Sequence, residues 1–259
     1  MPITGIDFAK CSICKQCIKE CPTNNYSLDE KRQKVVYNLK SCILCGHCIA
    51  VCPEDAILYE NMKSRVFAIE DPTITTSQKA IHNLIASKRS IRRYKNKEVP
   101  QDVLDKVFDS MKYAPTAMNL RTLKCRLISG NQEIKEFSMR IIDTIESEKE
   151  RKAYKDRLEE GKNPFFYDAP HILILHSKDS WGVVNATITI TYAMLYAETL
   201  GLGSCWIGGI QQYLVESKER TKKILGISDR VCGIMILGYP AVKYYRVPPR
   251  APIRVKTNL

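Results

Sequence analysis

Two short runs decide the fold of the N-terminal part of this 259-residue chain: CSICKQCIKECP at residues 11–22 and CILCGHCIAVCP at residues 42–53. Both read C-x-x-C-x-x-C-x-x-x-C-P, and each cysteine of the second run lies 31 positions after its counterpart in the first. The runs hold eight of the 11 cysteines of the chain. Thiols that serve only as small core side chains would be spread more evenly, so the match indicates a duplicated ligand-bearing loop.

Zinc and disulfides are the alternative explanations of these cysteines, and both fit the spacing less well. Structural zinc sites pair two C-x-x-C knuckles, or one knuckle with histidines, and have no use for the extra close cysteines. Disulfides need an oxidising compartment, whereas the N-terminal residues MPITGIDFAK lack the layout of a signal peptide. The runs instead resemble those of bacterial ferredoxins with two 4Fe-4S clusters, which implies a ferredoxin-like domain over residues 1–70.

In such ferredoxins, the fourth cysteine of each run binds the cluster held by the other run. The resemblance therefore implies one cluster on Cys11, Cys14, Cys17 and Cys52, and a second on Cys42, Cys45, Cys48 and Cys21. Because the ligand sets cross, the two clusters would tie the halves of the domain together.

The composition is that of a globular protein, with 44% hydrophobic and 26% charged residues. No window reaches the length of apolar sequence that a membrane helix needs, so we expect a cytoplasmic protein without membrane contact. The formal net charge of +12 raises the question of anionic partners. A solvated surface, an anionic cofactor or an acidic electron donor would account for it. Nucleic acid is not expected, because no basic run is interleaved with aromatic residues.

A second domain is predicted over residues 75–259, after a hydroxyl-rich linker that begins at Asp71. Hydrophobic periodicity predicts helices at 78–86, 102–113 and 185–200, a charged helical stretch at 132–161, and strands at 125–128, 172–175 and 232–237. These elements indicate an α+β fold in which a central sheet is flanked by helices.

Five short motifs follow one another in this half. They are Arg89-Ser90-Ile91-Arg92, Pro115-Thr116-Ala117-Met118-Asn119, Tyr167-Asp168-Ala169-Pro170, the glycine-rich turn Gly201 to Gly209, and Leu237-Gly238-Tyr239-Pro240. Each motif is weak alone, but their order and spacing resemble the nitroreductase family of FMN flavoproteins over residues 78–252. A Rossmann site is not expected, because the glycines follow a helix and their spacing is not G-x-G-x-x-G.

This resemblance implies roles for individual residues. The FMN phosphate and ribityl chain would be held by Lys88, Arg89, Ser90 and Arg92, with Arg250, or failing that Arg246, as a further cation. The flavin would be covered from the opposite subunit of a homodimer by Pro115, Thr116, Ala117 and Asn119. Along the isoalloxazine would lie Ile207, Gly208 and Gly209, and the backbone N–H of Gly208 would make the catalytic contact with flavin N5. The chain departs from the family pattern at Arg121-Thr122-Leu123, where glutamine-proline-tryptophan is common.

Together the two resemblances predict an FMN-dependent oxidoreductase with two 4Fe-4S clusters. Low-potential electrons would pass through the clusters to FMN, which would reduce a nitroaromatic, a quinone or a similar small organic acceptor. A ferredoxin-like protein or NAD(P)H is the expected donor. Two alternatives stay open: a dehydrogenase that works in the opposite direction, and a non-enzymatic redox carrier or sensor.

Overall fold

The computed structural model describes residues 3–60 and 70–256. The chain divides into two compact units: the first comprises Met1–Glu70 and Thr116–Arg121, and the second comprises Asp71–Pro115 and Thr122–Leu259. The short segment 116–121 therefore leaves the second unit and belongs to the first, which the sequence did not predict. In the described part of the chain, no helix has the length and apolar character needed to cross a membrane.

Among its described residues, the first unit contains two short α-helices and two antiparallel strand pairs. Its elements are β1 (Ile3–Ile6), α1 (Gln16–Glu20), β2 (Tyr26–Asp29), β3 (Lys34–Tyr37), α2 (His47–Val51) and β4 (Ile57–Tyr59). β1 pairs with β4, and β2 pairs with β3. The small core includes Tyr26, Val35 and Ile57, and the buried thiols of Cys17 and Cys48 belong to it. So small a core supplies little hydrophobic stabilisation, and bound metal would add to it.

The second unit contains helices α3–α10 and strands β5–β8. In chain order they are α3 (Pro72–Thr75), α4 (Gln78–Ser87), α5 (Gln101–Met111), β5 (Lys124–Ser129), α6 (Asn131–Ile142), α7 (Glu148–Glu159), β6 (His171–Ser177), α8 (Gly182–Thr199), β7 (Gly203–Trp206), α9 (Gly208–Val215), α10 (Lys218–Leu225) and β8 (Arg230–Gly238).

The sheet of the second unit is antiparallel, in the order β5-β6-β8-β7. Side chains alternate along β6: Ile172 and Ile174 pack with α6, α9 and α10, whereas Leu173 and Leu175 pack with α5 and α8. Helices therefore cover both faces, which is why β6 and β8 read as continuous apolar runs. The predicted α+β architecture, with a central sheet between helices, is confirmed.

Two local predictions for this unit need correction. The charged stretch 132–161 was expected to be helical throughout, but it forms two helices, and the side chain of Ser147 caps the second by accepting a hydrogen bond from the Glu150 amide. Within the glycine-rich turn, β7 is a buried strand that pairs with β8. A four-residue strand with so few branched residues has a weak pattern of its own, and pairing with β8 determines its conformation.

Candidate functional site

The two cysteine loops of the first unit repeat the same backbone conformation. Left-handed φ angles occur at Ile13 (57°) and Lys15 (62°) in the first loop, and at Leu44 (55°) and Gly46 (77°) in the second. Leu44 and Gly46 lie 31 positions after Ile13 and Lys15, the same distance that separates the corresponding cysteines. Left-handed φ angles are uncommon at residues other than glycine. Their recurrence indicates that both loops are shaped to wrap the same kind of group.

The thiol of Cys17 lies within electrostatic range of Cys11, Cys14 and Cys52, the last of which comes from the other run. Burial, followed by these three neighbours, raises the pKa of Cys17 to about 11. A group of four neighbouring thiols suits a metal centre, which supplies the positive charge that favours thiolates. These four cysteines are the ligand set that the resemblance implies for one cluster.

The second set is arranged around Cys48, which is also buried and has Cys42 and Cys45 as neighbours. Burial raises the pKa of Cys48. All eleven cysteines of the chain are free thiols. Across residues 3–60 and 70–256, no three His, Cys, Asp or Glu side chains converge as a single metal ion would require. The arrangement around Cys17, which brings a thiol of the second run to three of the first, fits a cluster, because a cluster takes each thiolate at a separate iron.

Segment 116–121 binds the second cysteine loop. The side-chain amide of Asn119 donates hydrogen bonds to the carbonyl oxygens of Ile43 (3.0 Å) and Leu44 (2.8 Å). Its own oxygen accepts a hydrogen bond from Nε of Arg121 (3.1 Å), whose backbone amide donates to Oγ1 of Thr116 (3.2 Å). The structure thus gives Asn119 a partner that the resemblance did not imply, and the flavin contacts of residues 115–119 stay predictions.

In the second unit, the motif that starts at Arg89 is held against β7. Ser90 pairs with Ser204 in an isolated parallel bridge, and the Ile91 amide donates to the Ser204 carbonyl (3.0 Å). Gly203 permits this approach, because a Cβ atom there would lie 2.6 Å from Cγ1 of Ile91. The predicted phosphate-binding motif and the predicted glycine-rich turn are therefore neighbours in space.

Unpartnered polar atoms surround Lys88. Its ammonium group donates to the carbonyls of Arg89 (2.7 Å) and Ser204 (3.0 Å), and burial lowers its pKa against the opposing effect of Glu198. Burial raises the pKa of Glu198, a residue that sequence reasoning missed. Nη2 of Arg89, Oε2 of Glu198 and Oγ of Ser204 are buried, and no hydrogen-bond partner for them occurs among the residues described. Buried polar atoms are normally satisfied, so these point to an absent ligand.

Arg92 and the three residues Ile207, Gly208 and Gly209 line one cavity of about 500 Å³. This volume is typical of small-molecule sites. The first helical hydrogen bond of α9 is donated by the Gln211 amide to the Ile207 carbonyl, so the amides of the two glycines precede the bonded turns and are available to an acceptor. A Cβ atom at Gly209 would meet nothing within 4 Å.

Aromatic rings form the rest of this cavity, and sequence reasoning had not assigned them to it. The lining includes Tyr154, Phe165, Tyr167 and Tyr213. The rings of Tyr154 and Phe165 are 5.1 Å apart, and the guanidinium of Arg92 lies 5.8 Å from the Tyr167 ring. Rings placed in this way provide flat apolar contact for a planar ligand.

A left-handed turn brings Tyr167 to the cavity. Tyr167 and Asp168 have φ angles of 54° and 56°. Oδ1 of Asp168 accepts a hydrogen bond from the Asn163 amide (2.7 Å), and the Asn163 side chain accepts from the Phe166 amide (2.9 Å). The motif Tyr167-Asp168-Ala169-Pro170 therefore has a structural cause, since it turns the chain into β6.

Of the two candidate cations near the C-terminus, Arg246 is closer to the motif. It lines a second cavity, of about 380 Å³, together with Ile91, Glu198 and Gly203. Arg250 is exposed and does not line that cavity. Arg246, which the sequence offered only as a fallback, is thus the residue that the structure brings beside the Arg89 motif.

The second unit fits an FMN molecule by its own chemistry. A guanidinium nitrogen and a hydroxyl oxygen are buried without partners beside the motif, which suits a phosphate or a ribityl chain. The neighbouring cavity combines open helical amides with aromatic walls, which suits a planar ring that carries hydrogen-bond acceptors. The residues present therefore fit the cofactor that the sequence predicted.

Comparison with known proteins supports both units. The family model described as "Nitroreductase family" matches residues 85–239, and that described as "4Fe-4S dicluster domain" matches residues 3–65. The chain is 27% identical over 166 residues to a "Putative NADH dehydrogenase/NAD(P)H nitroreductase" of Methanothermobacter thermautotrophicus, which covers 61% of this chain and 75% of that protein. It is 26% identical to an "FMN reductase [NAD(P)H]" of Bacillus subtilis, over 66% of this chain and 71% of that one.

Among solved structures, a nitroreductase with bound FMN from Bacteroides fragilis superposes with a TM-score of 0.55 at 23% identity, and the match covers 70% of this chain and all (100%) of that one. At this level of identity the likeness shows the fold of the second unit. The family model, in contrast, spans more than half of the chain. The chain belongs to the nitroreductase family and carries a 4Fe-4S dicluster domain on the N-terminal side of its nitroreductase domain.

Proposed function

We propose that this chain is an iron-sulfur flavoprotein oxidoreductase. It would pass low-potential electrons through two 4Fe-4S clusters to FMN, which would reduce a nitroaromatic, a quinone or a similar organic acceptor. One observation carries the proposal: a chain of the nitroreductase family, with a cavity that fits FMN, also holds two sets of cysteines in repeated loops. Bound FMN would link one-electron donors to two-electron acceptors.

The residues beside β7 would bind and orient the cofactor. Nη2 of Arg89 and Oγ of Ser204 would donate to its phosphate or ribityl oxygens, and so acquire the partners they lack. Lys88 would hold the motif in place, since its ammonium group already bonds two backbone carbonyls. Its charge beside the motif would also favour an anionic group.

The cavity itself would orient the flavin ring and the acceptor. The backbone amides of Gly208 and Gly209 would donate to ring acceptors, and the N–H of Gly208 is our candidate for the catalytic contact with N5. Tyr154, Phe165 and Tyr167 would exclude water and stack on planar organic molecules. These walls favour aromatic or quinoid acceptors over small aliphatic ones.

The active form would be a homodimer, and an apolar groove on the second unit supports this. The groove, of about 850 Å³, lies among α4, α5 and α8 and is lined by exposed residues that include Ile81, Ile85, Tyr113 and Tyr192. Apolar surface of this kind normally marks an interface. Sedimentation of the holoprotein should give the mass of two chains.

The donor would be a ferredoxin-like protein or NAD(P)H, and NAD(P)H is the donor named for the Bacillus subtilis relative. The test is steady-state turnover of the anaerobically purified protein with each donor and a nitroaromatic or quinone acceptor. The proposal requires FMN and about eight irons per chain, the content of two 4Fe-4S clusters. It also requires product that accumulates in proportion to donor consumed. Cluster reoxidation without product would instead identify a carrier.

A further inference from the structure

We propose that the two clusters differ in reduction potential, and that the cluster on Cys42, Cys45, Cys48 and Cys21 has the more positive potential. This inference rests on the proposed function, which supplies the two clusters. Its basis is a difference between the halves of the duplicated domain: among the described residues, side-chain hydrogen-bond donors reach the sulfurs of one ligand set and not those of the other.

The first donors surround Cys21. Its Sγ accepts a hydrogen bond from the backbone amide of Asn25 (3.3 Å) and another from the side-chain Nδ2 of Asn25 (3.6 Å). The hydroxyl of Thr23 lies 3.7 Å from the same sulfur. Because Nδ2 of Asn25 also donates to Oγ1 of Thr23 (2.5 Å), that oxygen is occupied as an acceptor and its own hydrogen is free to point at Cys21.

The counterpart of Cys21 in the second run is Cys52, and it lacks these donors. From the part of the chain that the structure describes, its Sγ accepts one hydrogen bond, from the backbone amide of Ala56, at the same 3.3 Å. At the positions that correspond to Thr23 and Asn25 stand Glu54 and Ala56. A carboxylate can only accept hydrogen bonds, and a methyl group can neither donate nor accept them. No side chain within the described residues therefore donates to Cys52.

A third donor reaches the same cluster from the core. The Tyr26 hydroxyl is buried, interacts with the thiol of Cys48, and has no hydrogen bond of regular geometry within the described residues. A thiolate at Cys48 would be a stronger acceptor than the thiol and would satisfy it. The residue that corresponds to Tyr26 in the second half is Ile57, whose side chain has no hydrogen-bond donor.

Reduction adds one negative charge to a cluster that already carries four thiolates. Hydrogen bonds to sulfur stabilise the more negative form, so they raise the potential. The set with Cys21 and Cys48 has two side-chain donors held at Cys21 and the buried Tyr26 hydroxyl beside Cys48, whereas the set with Cys17 and Cys52 has no side-chain donor within the described residues. The first electron delivered by an external reductant should therefore occupy the former cluster.

Two features would raise the potential of the other cluster, the one on Cys11, Cys14, Cys17 and Cys52. The effect of both features depends on the solvent. Lys10, Lys15 and Lys19 flank the first loop, and Cys14 is exposed to water. The three ammonium groups are themselves exposed, so water and salt screen them over a Debye length of about 8 Å at physiological ionic strength. Water reaches one sulfur without a fixed orientation, whereas the protein donors are held within 4 Å of Cys21. We therefore expect the fixed donors to determine which of the two clusters has the more positive potential.

The experiment is an anaerobic dithionite titration of the full-length holoprotein, with the reduced clusters quantified from their paramagnetic resonance signal. Two separate one-electron steps are expected. Asn25→Ala, Thr23→Val and Tyr26→Phe should each shift the step of higher potential to a more negative value and leave the lower step in place. The matched control is Tyr37→Phe, which removes the hydroxyl of the tyrosine paired with Tyr26 across β2 and β3, and it should shift neither step.

Titrations at high salt concentration distinguish the effect of hydrogen bonds on the potentials from the effect of surface charge. The difference between the two steps should persist, or widen, in concentrated salt, since screening removes only the contribution of the lysines. A single unresolved step, or a shift of the lower step in the variants, would overturn the inference while leaving the proposed function intact. A wild-type protein that binds no iron would overturn both.

Discussion

The backbone of Gly203 lies against the side chain of Ile91, whose Cγ1, Cβ and Cγ2 atoms would be 2.6, 2.9 and 3.0 Å from a Cβ atom added to the glycine. Gly203→Ala should therefore push the Arg89 motif away from β7. We expect a loss of about 1–3 kcal/mol in the free energy of unfolding, the usual cost of overpacking, together with reduced FMN content. Gly209→Ala is the matched control for stability, because its Cβ would meet nothing within 4 Å. Thermal and denaturant unfolding of both variants would check this, and equal stability would contradict it.

Arg89→Lys tests the buried guanidinium nitrogen that lacks a partner. Lysine keeps the positive charge but lacks the planar guanidinium group, which can donate hydrogen bonds to two groups at once. Loss of a hydrogen bond to a charged group costs about 1.5–3 kcal/mol, so the dissociation constant of FMN should rise roughly tenfold to a hundredfold. Flavin titration of the apoprotein would measure it, with iron content unchanged. Arg93→Ala, at an exposed neighbour, serves as the control, and equal affinity in all three proteins would exclude Arg89 from the site.

Asn119→Asp tests the link between segment 116–121 and the second cysteine loop. The change replaces an amide that donates to the carbonyls of Ile43 and Leu44 by a carboxylate that repels them. Two hydrogen bonds of about 0.5–1.5 kcal/mol each would be lost. We expect the visible absorbance of the iron-sulfur clusters to bleach several-fold faster in air, because the second cysteine loop loses both hydrogen bonds from Asn119. Met118→Leu is the control at an exposed neighbour, and a bleaching rate like that of wild type in Asn119→Asp would refute the link.

Asp229→Asn should change the response of the second unit to acid. Oδ2 of Asp229 is 2.9 Å from Nδ1 of His176 and 3.2 Å from the Lys124 ammonium, and the hydrogen bond with His176 holds the pKa of the carboxyl below its usual value of 3.8. A lowered carboxyl pKa contributes stability above the usual value, and that contribution is lost as the pH falls through the folded value. The variant should be less stable at pH 7 by about 1.5–3 kcal/mol, typical of one hydrogen bond to a charged group.

Below about pH 4, the stability of the wild type should fall more steeply than that of Asp229→Asn, because only the wild type loses this ionised partner. Melting curves between neutral pH and pH 3 would show the two proteins converge. The surface pair of Asp102 and Lys106 offers the comparison: its carboxylate is largely exposed, so Asp102→Asn should change stability little. Parallel curves for Asp229→Asn and wild type would argue against the assigned pKa direction.

Sequence periodicity was sufficient for the strongly patterned elements. The strands around Ile174 and Ile234 are buried on both faces and read as unbroken apolar runs, and the helices at 78–86 and 102–113 lie within about one or two residues of their predicted ends. The repeat of the cysteines likewise predicted loops of equal shape, which the φ angles at Ile13 and Leu44 confirm. In these cases the local pattern and the tertiary contacts agree.

Features that depend on contacts between residues far apart in sequence could not be predicted from the local sequence pattern. β7 takes its strand form from pairing with β8, and Glu198 lies far in sequence from Lys88, on which its charge acts. The aromatic wall combines Tyr154, Phe165 and Tyr213 from separate elements, none within a motif. The flavin contact of Asn119 stays a prediction from its motif, and the hydrogen bonds from its amide to Ile43 and Leu44 come from the structure alone. Nothing in the local sequence indicates such a partner.

Six residues that interrupt the nitroreductase domain in sequence, 116–121, fold with the N-terminal unit. Deletion of the dicluster domain up to residue 70 would therefore also affect the rest of the chain. Its removal would strip Asn119 of both carbonyl acceptors and leave a segment with three left-handed residues, Met118, Asn119 and Arg121, without the surface that supports it. A chimera that replaced this domain by another electron-transfer module would therefore need a redesigned segment 116–121 as well.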